Sequence, residues 1–236
     1  SITISEKRKD RADELSARYG IKVEDIATNV SNADALLLVV KPQDMAAVLD
    51  EIKGSINKSA VVITFAAGKK ISFIEQGLGT GNPVVRVMPN TPTLVGAGMA
   101  AISLGAGVSA KQSEFVSGFL AATGKVIQVS EDLQDAVTAT SGSGPAYFFR
   151  FVEAMVDGAK ALGLSDADAT TLTIQTIVGA AKLLDESGKS ATTLRENVTS
   201  PNGTTAAALT SFESHQLGDV VAQAMKAARD RSQELA

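Results

Sequence analysis

ALLLVVKPQDMAAVLDEIKGSINKSAVVITFAAG, residues 35–68, decides the fold. Two short runs in it, Ala35–Val40 and Ala60–Phe65, are apolar without alternation, as strands buried on both faces are. The helix-forming QDMAAVLDEIKG lies between them. Strand, helix, strand over so few residues predicts a parallel pair with the helix crossing one face. The rhythm continues outward. Upstream, SITIS opens as a strand, and EKRKDRADELSARYG reads as an exposed helix ending at Gly20, a natural C-cap. Downstream come helical SFIEQGL and the strand PVVRVM. AGMAAISL and VIQVS are expected to add edge strands around the helix of KQSEFVSGFLAATG.

From about Leu133 the strand signal stops. AYFFRFVEAMVDGAKALG carries apolar residues at helical spacing. SDADATTLTIQTIVGAAKLLDESG follows as a second helix, with Ser165 and Asp168 spaced like a capping box. Two more helices are predicted after Thr204 and Leu217. The chain therefore divides into an α/β sheet domain, 1–132, and an all-α domain, 133–236. A helical stretch of roughly 100 residues is thin for a core of its own. Its long Ala-rich apolar faces predict burial against another copy of the chain.

The beginning is unusual for such a sheet. A doubly wound fold starts with a strand, a glycine-rich turn and a helix that cradles a pyrophosphate. Here the first residues already read like the second strand, and no GxGxxG occurs near them. The expectation is a Rossmann-like sheet that either is unconventional or lacks its first strand and helix, roughly 25 to 30 residues at ordinary element lengths.

Composition narrows the chemistry. The 236 residues are 44% hydrophobic, enough for a substantial core, and the net charge of −4 without a basic block argues against nucleic acid as main partner. The absence of cysteine excludes thiolate nucleophiles and thiolate metal sites, and a single histidine leaves little material for a His-based one. No metal is implied. No apolar run has the length of a membrane span. A cytoplasmic setting is the expectation.

In open α/β sheets, ligands sit just beyond the carboxyl ends of the strands. Three such ends read VV-Lys41-Pro42, ITF-Ala66-Ala67-Gly68 and Met88-Pro89-Asn90-Thr91-Pro92. Small residues there let a flat ring approach the backbone, and Lys41 and Asn90 suit phosphate, ribose or amide groups. The plainer alternative is that the prolines stop strands and Lys41 is a solvated turn residue. After SITIS stand Glu6, Lys7, Arg8 and Lys9. Basic residues at the end of a second strand favour a ribose 2′-phosphate and hence NADP; an acid favours NAD. Lys7 and Arg8 point to NADPH and Glu6 keeps NADH in play, while a solvated helix start explains the same run.

Two motifs remain. SGSGPAYFF, Ser141–Phe149, joins the halves. Its Pro145 suits the first turn of a helix, and the stretch either packs that helix start tightly or lines a substrate pocket. In VTSPNGTTAAAL, Val198–Leu209, Pro201-Asn202-Gly203 makes a tight turn, and Thr204 or Thr205 is expected to cap the next helix. A helix amino end favours anions. Backbone N–H groups of Gly203, Thr204 and Thr205, with Ser200 Oγ, are candidates to hold a small carboxylate, the second threonine bonding a ligand nitrogen. His215 reads as a surface residue. Glu153 and Asp157 show no paired arrangement.

VVKPQDM, the AAG after ITF, VVRVMPNTPTLVGAG, DAVTATSGSGPAYFF and VTSPNGTTAAAL, in that order and spacing, resemble pyrroline-5-carboxylate reductases over essentially the whole chain. Asn202 departs from the glycine usual there. The resemblance implies a Rossmann domain followed by a helical dimerisation domain, assembled as dimers and in larger forms as a ring of five dimers. It implies NADPH, or alternatively NADH, reducing 1-pyrroline-5-carboxylate to L-proline in the last step of proline biosynthesis. Ser200, Gly203 and Thr204 match positions that hold the substrate carboxylate, and Thr205 the hydroxyl at the ring nitrogen, the catalytic contact. Lys41, Pro42, Ala66, Ala67 and Asn90 match the cofactor side. Lys7 matches a position where many members have a basic residue near the adenosine phosphate; Arg8 is a candidate only from the basic run read above. Two rivals are weighed: another reductase of this architecture using Lys160 or Lys182 as acid, and a non-catalytic helical dimer.

Overall fold

The computed structural model describes residues 1–235. The chain forms two compact units. One comprises residues 1–142 together with those from 228 on; the other comprises 143–227. The boundary read at 132/133 falls within the connector that ends the first unit.

The first unit alternates strand and helix: β1 (Thr3–Ile4), α1 (Lys9–Tyr19), β2 (Lys22–Val23), α2 (Ile26–Asn32), β3 (Ala35–Leu38), α3 (Met45–Ile52), β4 (Val61–Thr64), α4 (Ile71–Leu78) and β5 (Val84–Met88). Then come β6 (Gly98–Leu104), α5 (Ala110–Ala121) and β7 (Gly124–Gln128). Helix α1 begins three residues later than its charged run suggests, and it ends on Gly20 in the left-handed conformation, as expected. Helix α5 carries the full capping box, Ser109 with Gln112.

Strands β3-β4-β5-β6-β7 form one sheet in that order; β1 and β2 form a separate parallel pair. Every pairing is parallel except β5 with β6. The reason is the connection. Residues 89–97 form a loop with a 3-10 turn, Thr91–Val95, too short for the crossover that a parallel pair needs. This corrects one expectation: of the two strands placed at an edge, β6 is interior and β7 alone is an edge. Its start fits because Gly124 lies at φ +152°, where an added Cβ would sit 1.9 Å from Gly98 O. A residue with a side chain cannot stand there.

The run Ala35–Val40 is also corrected. Only four residues are strand, and β3 is the outer edge of its sheet, pairing β4 alone. Leu37 is 39% and Val39 75% exposed, where burial on both faces was expected. The apolar core lies on the two faces of the inner strands. Val30, Leu38, Met45, Leu49, Ile52, Val62, Ile74 and Leu78 pack one face; Val61, Ile63, Val85, Val87, Ile102 and Val116 pack the other.

The second unit is helical: α7 (Gly144–Ala161), α8 (Asp166–Glu186), α9 (Ala191–Asn197), α10 (Thr204–Ser214) and most of α11 (Leu217–Glu234), after the short α6 (Gln134–Val137) in the connector. Pro145 stands in the first turn of α7, and Ser165 Oγ accepts from Asp168 N at 3.1 Å. Only Gly144, Ala169 and Thr173 of α7 and α8 are buried. Phe148, Phe149, Leu172, Val178 and Leu183 are each more than half exposed. Among the described residues, no helix is long and apolar enough to cross a membrane.

Candidate functional site

Helices of the first unit begin beyond the carboxyl ends of its strands, and each predicted cofactor residue follows one of those ends: Lys7 and Arg8 that of β1 in the separate pair, the others those of β3, β4 and β5. Lys7 and Arg8 follow β1, fully exposed; Arg8 is the N-cap residue of α1. The Glu6 carboxylate accepts from Arg8 N at 2.9 Å, so it is turned onto its own backbone. Lys41 and Pro42 follow β3 in a turn closed by Asp44 N donating to Lys41 O at 2.9 Å. Among the described residues, Lys7, Arg8 and Lys41 have no ion-pair partner, whereas Lys9 pairs with Asp13 and Lys53 with Asp50. Three uncommitted cations at strand ends suit phosphate.

After β4, Ala66 is buried and its N–H bonds Thr64 Oγ1. Gly68 at φ +74° turns the chain into α4. Asn90, after β5, is already engaged. Its Oδ1 accepts from Met99 N at 2.8 Å, and its Nδ2 donates to Ser141 Oγ at 3.2 Å. One amide hydrogen remains for a ligand. Ser141 belongs to a π-helical turn, Thr138–Gly142, a backbone form frequent at functional sites. Gly142 in that turn lies so close to β5 that an added Cβ would meet Met88 Cε at 2.5 Å.

In the helical unit, Gly203 N donates to Ser200 O at 3.0 Å, closing the turn Ser200-Pro201-Asn202-Gly203. Asn202 adopts φ +60°. A type II turn demands that of its third residue, and after glycine asparagine tolerates it best. Two expectations change here. Gly203 itself is the N-cap of α10, without a side-chain cap bond, so neither Thr204 nor Thr205 caps the helix. The Gly203 N–H is spent in the turn. What remains unspent is the first N–H groups inside α10, which have no intrahelical acceptor, and the hydroxyls of Ser200, Thr204 and Thr205. Such a turn can take a small anion and bond a nitrogen beside it.

His215 ends α10 on the surface, Nδ1 bonded to Ser211 O at 2.8 Å, as read. Lys160 pairs with Asp166 at 2.7 Å, and that hydrogen bond and charge hold its ammonium above the usual range. A lysine poised to give up a proton needs the opposite shift. Lys182 lies beside Glu186 at 3.8 Å. Sequence reading overlooked Arg86, Glu131 and Gln134. Arg86 is buried within β5 and pairs with Glu131 at 3.3 Å. An arginine inside the apolar run VVRVM was the available signal, because a buried charge demands a partner.

A mostly parallel sheet of the nucleotide-binding kind with small and basic residues beyond the strands of its unit, together with a helical unit that carries an open anion-suited turn, defines a dinucleotide-dependent oxidoreductase of the two-domain kind. Residues 1–68 match the family described as NADP oxidoreductase, coenzyme F420-dependent, and residues 131–235 match pyrroline-5-carboxylate reductase dimerisation. The chain belongs to the pyrroline-5-carboxylate reductase family. It is 42% identical to the pyrroline-5-carboxylate reductase of Corynebacterium melassecola, covering 100% of this chain and 88% of that one. The solved pyrroline-5-carboxylate reductase of Coxiella burnetii superposes with a TM-score of 0.93 at 37% identity, over 100% and 88% of the two chains. The Plasmodium falciparum enzyme, solved with NADP bound, gives 0.87 at 29% identity, over 99% and 86%.

Proposed function

We propose that this protein reduces 1-pyrroline-5-carboxylate to L-proline with NADPH. The observation that carries the reading is the turn Ser200–Gly203 with the start of α10, where N–H groups and three hydroxyls stand unspent beside one another. Family membership supplies the substrate. In this reading Ser200, Gly203 and Thr204 shape the seat of its carboxylate, and Thr205 Oγ1 bonds the ring nitrogen.

The residues present fit the two ends of the cofactor. Lys7 and Arg8 suit the adenosine phosphate, and the outward-free basic groups, with Glu6 bound to its own backbone, favour NADPH over NADH. Ala66 and Ala67 leave room for a flat ring, with Lys41, Pro42 and Asn90 flanking. No glycine-rich turn between a strand and a helix supplies a pyrophosphate cradle among the described residues. Bound reduced nicotinamide supplies a hydride for the imine carbon.

The protein's own task is modest because a protonated imine is already electrophilic. Hydride addition at the imine carbon turns C=NH+ into CH–NH: the π pair becomes a lone pair on nitrogen, the existing N–H bond is kept, and the positive charge is lost. Thr205 holds that nitrogen in place and steadies its changing charge. Fixing two reactants in line lowers the barrier by several kcal/mol without any strong base. The exposed helical faces support assembly as a homodimer, with a pentamer of dimers as the larger form. A cytoplasmic setting belongs to the same reading, since a biosynthetic reduction draws on reduced nicotinamide.

The test is consumption of NADPH on adding 1-pyrroline-5-carboxylate, with proline as product. Thr205→Ala is expected to lower kcat on the order of 100-fold, the scale of one lost transition-state hydrogen bond, and to leave NADPH affinity nearly unchanged. An unaltered kcat removes Thr205 from the mechanism. A wild-type protein that oxidises no NADPH with this substrate refutes the function.

A further inference from the structure

The inner strands bury an unusual polar row on one face. Thr64 of β4, Arg86 of β5 and Ser103 of β6 are register partners, and all three are at most 5% exposed. Partners side by side in a sheet share a face. Above the row runs the connector. Gln134, fully buried, donates to Ser103 Oγ at 2.8 Å, and Ser103 Oγ donates to Val129 O at 3.0 Å. Glu131 meets Arg86, and the same carboxylate oxygen accepts from Ile71 N at 2.7 Å.

That last bond joins distant parts of the chain. Ile71 is the first residue of α4, and helix α4 has no side-chain cap from its own N-cap residue, Lys70. Its N-terminal charge is met instead by a carboxylate sixty residues away in sequence. Immediately before α4 lies the turn 66–70, closed by Lys69 N donating to Ala66 O at 3.4 Å. The turn is thus tied at both ends: Ala66 N to Thr64 Oγ1, and Ile71 N to Glu131.

We propose that Glu131 is a positioning residue for the cofactor: its carboxylate holds the start of α4, and through it the turn carrying Ala66 and Ala67, in the shape that receives the nicotinamide nucleotide. Arg86 pairs with that carboxylate at 3.3 Å but makes no hydrogen bond to the turn itself. The proposal rests on the reductase reading above. It assigns to the connector a part in cofactor binding separate from its part in joining the two units.

Three variants of the full chain separate this from a merely structural ion pair. Glu131→Ala removes the acceptor; Glu131→Gln keeps an acceptor and loses the charge; Arg86→Met keeps the Glu131 bond to Ile71 and breaks the pair. NADPH affinity is measured by fluorescence titration, thermal stability by circular dichroism, and amide exchange over residues 66–74 by mass spectrometry. Glu131→Ala is expected to weaken NADPH roughly tenfold, the scale of losing one supporting contact behind a binding site, and to speed exchange at Ile71. Glu131→Gln is expected to lose less. Arg86→Met is expected to lower the melting temperature yet keep NADPH affinity within about twofold, because the helix start stays held. If Glu131→Ala does not fold, the contrast between Glu131→Gln and Arg86→Met decides. Affinity that falls in step with stability in every variant, Arg86→Met included, overturns the proposal, as does unchanged affinity in both Glu131 variants. A wild-type chain that binds no NADPH refutes the reductase reading and this proposal with it; a wild-type chain that binds normally leaves the variants to judge the proposal alone.

Discussion

Asn90 offers a sharp separation of scaffold from site. Its side chain gives an acceptor to Met99 N and a donor to Ser141 Oγ, so it pins the loop after β5 to the head of β6 and to the π-helical turn. Asn90→Ala strands the Met99 N–H, which costs about 1–3 kcal/mol, and deletes the Ser141 bond, worth about 0.5–1.5 kcal/mol net. Both groups are half-buried, so water recovers part of the loss and a total near 2 kcal/mol is expected. In a domain of this size that is a fall in melting temperature of roughly 4–8 °C. Asn90→Asp keeps the acceptor for Met99, and the Ser141 hydroxyl can reverse its role and donate to the carboxylate. It should therefore lie within about 1 kcal/mol of wild type at neutral pH. The measurement is urea unfolding of the three proteins followed by circular dichroism, with NADPH affinity measured alongside. Equal destabilisation by Ala and Asp, or less than about 0.5 kcal/mol for Ala, would refute the reasoning. Weakened NADPH binding in the stable Asp variant separates a ligand role at position 90 from its scaffold role.

The exposed helical faces make a second prediction. Phe149 is 64% exposed in the single chain. Covering that much of an aromatic side chain buries roughly 130 Å², worth about 3 kcal/mol per subunit at ~25 cal/mol per Å². A two-fold interface doubles the effect, so Phe149→Ala should raise the dissociation constant at least about 100-fold; sedimentation showing the same assembly at every concentration would count against it. The third concerns pH. Asp25 caps α2, and hydrogen bonds from Thr28, side chain first and then backbone, lower its carboxyl below the usual range. A depressed folded value stabilises fully above the unfolded one, about 4, and the contribution fades as pH falls through the folded value. The gap in urea midpoint between wild type and Asp25→Ala should therefore be present at neutral pH and close in acid; an equal gap at both ends of the titration excludes this role.

Much of the architecture was legible because it depends on short-range chemistry. Gly20 ends α1, Pro145 starts α7 and Ser165 caps α8, each through contacts within one helical turn. The apolar runs located the inner strands. What runs of residues do not carry is who pairs with whom, so β6 was placed at an edge though it lies between β5 and β7. Lys22–Val23 and Ile26–Asn32 were missed, the first for its length and the second because IATNVSN has the polar, β-branched composition of a loop. At the turn Ser200–Gly203, the residues were legible but their hydrogen bonds were not. Which N–H a tight turn consumes depends on backbone angles, and Asn202 at φ +60° fixed them so that Gly203 closes the turn.

Strand β5 ties these observations together. Arg86 and Met88 alternate along β5 and so share one face; Asn90 follows two residues on, in the loop after the strand. Arg86 grips Glu131, Met88 packs against Gly142, and Asn90 bonds Ser141. Arg86, Met88 and Asn90 thus hold both ends of the connector 131–142. The RVMPN stretch therefore has scaffold duties before any ligand arrives, and its residue choice answers two demands at once. A change at Asn90 removes the Met99 and Ser141 bonds together; a change at Arg86 breaks its pair with Glu131 and leaves the carboxylate's bond to Ile71 N, at the start of α4, in place. Loss of activity alone cannot assign a role to any residue here. Affinity and stability must be measured on the same variants, since the two come apart only where one hydrogen bond is kept and its neighbour removed.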